Sequence, residues 1–583
     1  MVNEPIFNNI NGLEISFRQE LSQKDVLIYK IRLKAEQQGE ITKEDILCTW
    51  NFPFLDCAGV WHPNCGFNRS VNADWDSFCQ SMTASSAPIL ALFSEDSKNR
   101  ITIAVSETME IIRMKAGLHE EDGTVLLQVA IPSGYVKTKK ECELFIRLDV
   151  REIPFYDAIA GVSEWWEKEC GIVPIEPGDN TREPVYSTWY SYHQNLKQEE
   201  MEEEFKRAAE LGFGTVILDD GWQTDDNSRG YAYCGDWEVS RNRFPDFAHH
   251  VEKIHSLGMN YMIWYSMPFV GSSSNSWDMF RDKLLTYNET LKAGALDPRY
   301  PQVREYLIGI YEKALKEWGV DGFKLDFIDQ LVERVNSAPV NEQMDKESVQ
   351  EALDALMSEI YRRLSAIKPE VMIEFRQRYI GPNMRKYGNM FRVTDCPNSA
   401  ISNRVGIVDL RMLSGNTTVH SDPLMWHAQE DPRIAALQVI SSIFSTVQIS
   451  VKLKDATVSM KKMIDYWVKF MIEYKELLQG YQIKPMEPHN LYPEVWTDDE
   501  NTGICAVYTE KRMIRIPSGF DENIVLNGTK TEKLFLEFEK ECDYLIEVRD
   551  CMGEGVSRLT TKGRKGISEI YVPVAGQIFL SKL

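Results

Sequence analysis

Carboxylates, cations and tryptophans recur at the ends of short apolar runs in the middle of this chain. In order they are Trp189, Asp219-Asp220-Gly221-Trp222, Trp264, Lys324-Leu325-Asp326, Glu374-Phe375-Arg376, Arg392 with Asp395, and His420 with Asp422 and Trp426. Sugar recognition calls for that mixture. Carboxylates accept from hydroxyls, cations donate to hydroxyl and ring oxygens, and indole faces cover the apolar C–H surface of a pyranose. A pair of carboxylates at such a mouth can also act as nucleophile and general acid/base.

The sharpest of these stretches is Gly322-Phe323-Lys324-Leu325-Asp326. In a strand Lys324 and Asp326 share one face, while Phe323, Leu325 and Phe327 take the other, so one side packs and the other presents a cation and an acid. By itself this could be a surface ion pair at a strand end. Asp329 lies beyond the expected strand end and reads as a supporting or capping acid.

Elements of the right kind surround these residues. From about 182 to 480, apolar runs alternate with amphipathic helices, as parallel strands with helical crossovers require. The expected strands are Val185 to Tyr192, Thr215 to Asp219, Asn260 to Tyr265, Gly322 to Asp326, Val371 to Arg376, Met390 to Thr394, Thr417 to His420 and Thr446 to Val451. Val303, Leu307, Ile310, Ala314 and Trp318 mark one face of a crossover helix. Eight such units predict a closed (β/α)₈ TIM barrel, with a doubly wound open sheet as the alternative. In a barrel the chemistry belongs at the carboxyl ends of the strands, where these residues fall.

The flanks have a different texture. Residues 1–172 alternate apolar and polar side chains in short runs and predict a β-sandwich; Pro174 to Asn180 breaks the chain. A barrel over 182–482 follows, and 485–583 alternates again as a small antiparallel β-sandwich. At 583 residues the chain is too long for one core, and 43% hydrophobic residues suffice for several.

The formal charge of −23 from 65 basic and 88 acidic residues opposes binding to nucleic acid or an anionic membrane surface. Met1 to Phe7 holds a Glu and no apolar run, and no stretch is long enough to span a bilayer, so a cytoplasmic location is expected. The 11 cysteines are scattered, without zinc-site spacing or the density of a disulfide scaffold. His193, His420 and His427 fit no compact metal motif, and neither metal nor cofactor is expected.

Taken together, Leu218-Asp219-Asp220-Gly221-Trp222, Phe323-Lys324-Leu325-Asp326-Phe327 and Asp395, set between two β-rich flanks, resemble the melibiase group of glycoside hydrolases, the α-galactosidases of family 36 and its clan. The resemblance implies a retaining double displacement with Asp326 as nucleophile and Asp395 as acid/base. It implies that Lys324, Asp219 and Asp220 hold sugar hydroxyls and that Trp222 and Trp264 line the pocket. The expected substrate is a terminal α-linked galactoside, with other sugar-binding contacts from Trp189, Arg376 and Arg392. Relatives are often dimers, trimers or tetramers, so homo-oligomers are compatible with it.

Two segments depart from that pattern. The fifth strand reads Glu374-Phe375-Arg376-Gln377 where many members carry Cys-Ser-Gly-Gly close to the sugar O2, and the third has Ser266-Met267-Pro268 in place of Glu-Pro-Glu. An α-N-acetylgalactosaminidase, a raffinose-synthase-type galactosyl transferase and a non-enzymatic sugar-binding barrel are the alternatives. Bland readings also exist for two stretches. Asp-Asp-Gly is ordinary turn chemistry, and Thr394-Asp395-Cys396-Pro397 could cap a helix near Asn398.

Overall fold

The computed structural model describes residues 3–36, 44–53, 56–134, 140–334 and 337–583. Met1 and Val2 of the amino-terminal segment lie outside them.

Eight parallel strands form the centre. They are β1 Val185–Ser187, β2 Thr215–Leu218, β3 Asn260–Ser266, β4 Gly322–Asp326, β5 Met372–Arg376, β6 Met390–Arg392, β7 Thr418–His420 and β8 Gln448–Ile449. From β1 to β7 each strand pairs with its neighbour in chain order, and β8 pairs with β1. A bridge between His420 and Thr446 links the ends of the series, so the sheet closes into a TIM barrel rather than opening into a doubly wound layer. Nearly every strand residue is buried on both faces, which is why the strands read as continuous apolar runs. Gly322 has a packing reason: a Cβ there would meet the Met372 carbonyl oxygen of β5 at 2.4 Å.

The expected strand starts agree closely; several strands stop earlier. The first ends at Ser187, and Trp189–Tyr192 turns into a short helix. The last keeps only Gln448–Ile449. Among the described residues six helices of nine or more residues lie between barrel strands, α1 Gln198–Glu210, α2 Phe247–His255, α3 Pro301–Lys313, α4 Val349–Ile367, α5 Ala400–Leu413 and α6 Pro432–Ser441, and α7 Val458–Glu473 follows β8. Between β5 and β6 only a 3₁₀ turn, Pro382–Lys386, stands where a crossover helix was expected. The amino-terminal region fills that place. Arg385 of the turn bonds to Ser163 and pairs with Glu167, both on the helix Phe155–Glu169, and Asn383 donates to Thr108.

Ahead of the barrel stand two six-stranded sheets. Trp50, Leu127 and Val129 of one face Tyr29, Ile31, Ile103 and Ile146 of the other across one buried core. After the barrel comes a single eight-stranded sheet with its own core around Val507, Ile514, Leu536 and Ile546. It is not purely antiparallel as expected. Thr502–Val507 runs parallel to Glu522–Asn527, and Met513–Ile516 parallel to Lys533–Arg549, because the chain crosses over instead of turning back in a hairpin. Among the described residues no helix is long and apolar enough to cross a membrane.

Candidate active site

Asp326 ends β4, and the residue after it, Phe327, takes a left-handed backbone conformation with φ 65°. A bulky residue there costs on the order of 1–3 kcal/mol, and such strain collects at functional positions. The turn brings the Phe327 N–H back onto Asp326 Oδ1 at 2.8 Å. The Tyr379 hydroxyl donates to the same oxygen at 2.7 Å, and Arg376 Nε approaches it to 3.2 Å. Oδ2 receives the Trp264 indole N–H at 3.3 Å. One oxygen is therefore saturated, and the other keeps a single long contact. Burial pushes the Asp326 carboxyl up, but Arg376, Lys324 and the Tyr379 hydroxyl outweigh it and hold the group below its ordinary value.

Asp395 lies across Arg376 from Asp326. Arg376 Nη1 is 3.8 Å from Asp395 Oδ2, and Arg392 Nη2 is 2.9 Å from Oδ1. Its side chain is 45% exposed, the most open of the site acids. Against the upward push of burial, Arg392, Lys324 and Arg376 hold it to about 2. It is not a helix cap: α5 begins at Ala400 behind Ser399.

Arg392 itself is walled in. Nη1 is 2.5 Å from Asp422 Oδ1, Nε is 3.5 Å from Glu374 Oε1, and the side chain is 1% exposed. Three carboxylates surround it, and it has almost no open surface for the direct sugar contact expected of it. Asp422 also accepts from the Tyr190 hydroxyl at 2.9 Å and the Cys396 N–H at 2.8 Å. Burial pushes its carboxyl up to about 6, with Arg392 opposing.

Lower on β4, Lys324 Nζ sits 2.6 Å from Asp219 Oδ2, and both are buried. Asp220 accepts from Gln194 at 2.8 Å and Gln223 at 2.7 Å; burial pushes it up to about 6. The turn that sets these acids needs glycine. Gly221 has φ 116°, and a Cβ would fall 2.6 Å from the Gln194 backbone.

Trp222 corrects the reading of the sequence. It was expected in the pocket, yet it is 0% exposed, packed against Trp237, Phe247, Tyr265 and Trp318, with its indole N–H donated to the Trp264 carbonyl at 2.9 Å. It supports the third strand from behind, because the tight turn throws its side chain outward between barrel and helices. Trp264 is nearly buried but points its N–H at Asp326. Trp189 is partly exposed and meets the His193 ring edge-on at 4.7 Å.

Tyr379 was missed by sequence reasoning, and Tyr190 fell inside the expected first strand, Val185 to Tyr192, without being given a role. Tyr379 lies three residues past Arg376 in an irregular turn, where no periodicity marks it. Of the histidines, His420 is engaged by the Thr181 carbonyl at 2.7 Å and Gln448 at 3.0 Å. Among the described residues no group of three or more His, Cys, Asp or Glu is arranged to hold a metal ion. Beside Tyr190 a cavity of about 410 Å³ opens, lined by Asn398, Trp426, His427 and Lys452 among others.

Residues 174–379 match the family model described as Melibiase. The chain is 26% identical over 207 residues to α-galactosidase AgaA of Geobacillus stearothermophilus, covering 34% of this chain and 27% of that protein. It is 25% identical over 187 residues to an Escherichia coli α-galactosidase, covering 30% and 26%. The matched segments thus span about a quarter of those curated relatives. In fold the chain is similar to the crystal structure of the family 36 AgaA, with a TM-score of 0.65 at 15% identity over 98% of this chain and 81% of that one. The Lactobacillus brevis α-galactosidase gives 0.63 at 11% identity over 99% and 86%. Over residues 174–379 the chain is similar to the α-galactosidase/melibiase group of glycoside hydrolases, and its fold is that of the family 36 structures.

Proposed function

We propose that this chain hydrolyses terminal α-linked galactosides with retention of configuration. The observation that carries the reading is the asymmetry of Asp326: Oδ1 is anchored by Phe327 N–H and Tyr379 OH, which leaves Oδ2 as the attacking oxygen. Oδ2 forms a bond to the anomeric carbon as the bond to the leaving oxygen breaks, and Asp395 supplies the proton to that oxygen. Asp395 then takes a proton from water, whose oxygen displaces Asp326 and restores both groups. Because the cations hold Asp395 ionised in the open site, proton donation requires bound substrate to exclude water and draw Arg376 away from it.

Lys324, Asp219 and Asp220 bind the hydroxyls far from the reacting bond, and Trp264 and Trp189 bound the sugar. The cavity beside Tyr190 lies on the Asp395 side and takes the leaving group. AgaA has been crystallised with raffinose and stachyose, which supports an oligosaccharide as the substrate. We divide the chain into a β-sandwich over 1–172, the catalytic barrel over 182–482 and a β-rich domain over 485–583. The buried cysteines Cys48, Cys234 and Cys505 are thiols, in keeping with the reducing conditions of the cytoplasm.

Replacing Asp326 with Gly tests the assignment. Turnover of an aryl α-galactoside should vanish, and azide should restore it with a β-galactosyl azide as product. An α-azide product would place the nucleophile elsewhere.

A further inference from the structure

Arg376 stands between the two carboxylates rather than beside one. Its Nε lies 3.2 Å from Asp326 Oδ1 and its Nη1 3.8 Å from Asp395 Oδ2. The first approach is too oblique for a hydrogen bond, so this buried N–H has no acceptor among the described residues. The Phe327 and Tyr379 rings flank the guanidinium, each centroid 5.9 Å away. About one-fifth of the side chain remains exposed, so Arg376 is not sealed from the mouth of the site as Arg392 is.

A sugar attacked by Asp326 Oδ2 places its anomeric carbon between the two acids, and that carbon has two ring neighbours, O5 and C2. The Oδ1 side of Asp326, where Arg376 lies, must flank one of them. A guanidinium against O5 would oppose the positive charge that an oxocarbenium-like transition state spreads onto that atom. Against O2 it meets a lone-pair acceptor instead. Tyr379, fully buried, closes the same flank and leaves no depth behind the cation for a bulky group.

We propose that Arg376 reads the 2-position of the sugar, donating to a free 2-hydroxyl and excluding a 2-acetamido group. This rests on the roles given above to Asp326 and Asp395. It makes Arg376 a specificity residue in addition to a counter-ion for the acid pair.

The test compares kcat/KM for aryl α-galactosides bearing hydroxyl, hydrogen or acetamido at C2, in the unaltered protein and in Arg376→Ala and Arg376→Lys. The unaltered protein should favour hydroxyl over hydrogen by on the order of 10- to 100-fold, the worth of a hydrogen bond to a charged group, and should leave the acetamido compound uncleaved. Arg376→Ala should compress the hydroxyl-to-hydrogen ratio to within a few-fold, and Arg376→Lys should keep part of it. An equal fall on both substrates would overturn the proposal, because Arg376 would then serve the carboxylates alone. So would cleavage of the acetamido compound at a comparable rate. If no aryl α-galactoside is cleaved, the hydrolase reading fails, and calorimetric binding of galactose and 2-deoxygalactose decides the role of Arg376 separately. A preference for galactose that Arg376→Ala abolishes supports it; an absent or unchanged preference overturns it.

Discussion

Lys324 Nζ lies 2.6 Å from Asp219 Oδ2 and ties β4 to β2 across the barrel mouth, with the two side chains 6% and 2% exposed. Both were expected to face sugar hydroxyls; in the open site they first neutralise each other. Lys324→Met should therefore leave a buried, unpaired carboxylate and cost about 3–5 kcal/mol of stability. Adding Asp219→Asn should recover most of that loss. Thermal or urea unfolding of the three variants checks both points, and an additive double variant would contradict the pairing.

Asp395 as acid/base leads to a leaving-group dependence. Asp395→Ala should cut turnover of raffinose or an alkyl α-galactoside by about 10²–10⁴-fold, the usual worth of a general acid. A nitrophenyl galactoside, whose leaving oxygen needs no proton, should lose far less in its glycosylation step. Equal losses measured under single-turnover conditions would assign the proton to another group.

The cations around Asp395 also predict a pH dependence of stability. Its folded value is held to about 2, below the ordinary unfolded carboxylate value of about 4. A depressed carboxyl contributes stability above the unfolded value, and that contribution disappears as pH falls from about 4 toward 2. Asp395→Asn should flatten the fall of the unfolding midpoint across that window. The side chain is partly open to solvent, so the effect should shrink in high salt.

Asp220 should behave oppositely. Burial raises it to about 6, so it gains its charge only as pH climbs through that value. If the ionised form accepts sugar hydroxyls, galactose affinity should rise with pH through about 6, and Asp220→Asn should show a weaker, flatter profile. Calorimetric titration between pH 5 and about 7.5, across that transition, measures it.

Trp222 gives a prediction of the other kind. Since it fills an aromatic cluster and touches no open surface, Trp222→Ala should cost about 3–5 kcal/mol through the cavity it leaves. KM of the protein that remains folded should change little. A large rise in KM without loss of stability would return Trp222 to the pocket.

What the sequence by itself determined is the framework: eight apolar runs, their parallel crossover order, and acids or cations where those runs stop. Those features are local. A buried parallel strand is continuous in hydrophobicity, a crossover helix repeats every three or four residues, and the end of each is marked by polar residues within one or two positions. Asp326, Lys324, Asp219 and Asp220 were legible for that reason. What only the tertiary structure decided is which of these groups face one another. Tyr379 reaches Asp326 from an irregular turn, Tyr190 and Asp422 meet from the first and seventh strands, and Arg392 is enclosed by acids contributed from three places in the chain. No local pattern encodes such contacts, because they depend on barrel closure bringing distant strand ends to a common rim. The same closure, with the glycine turn at Gly221, sent Trp222 behind the wall it was expected to line.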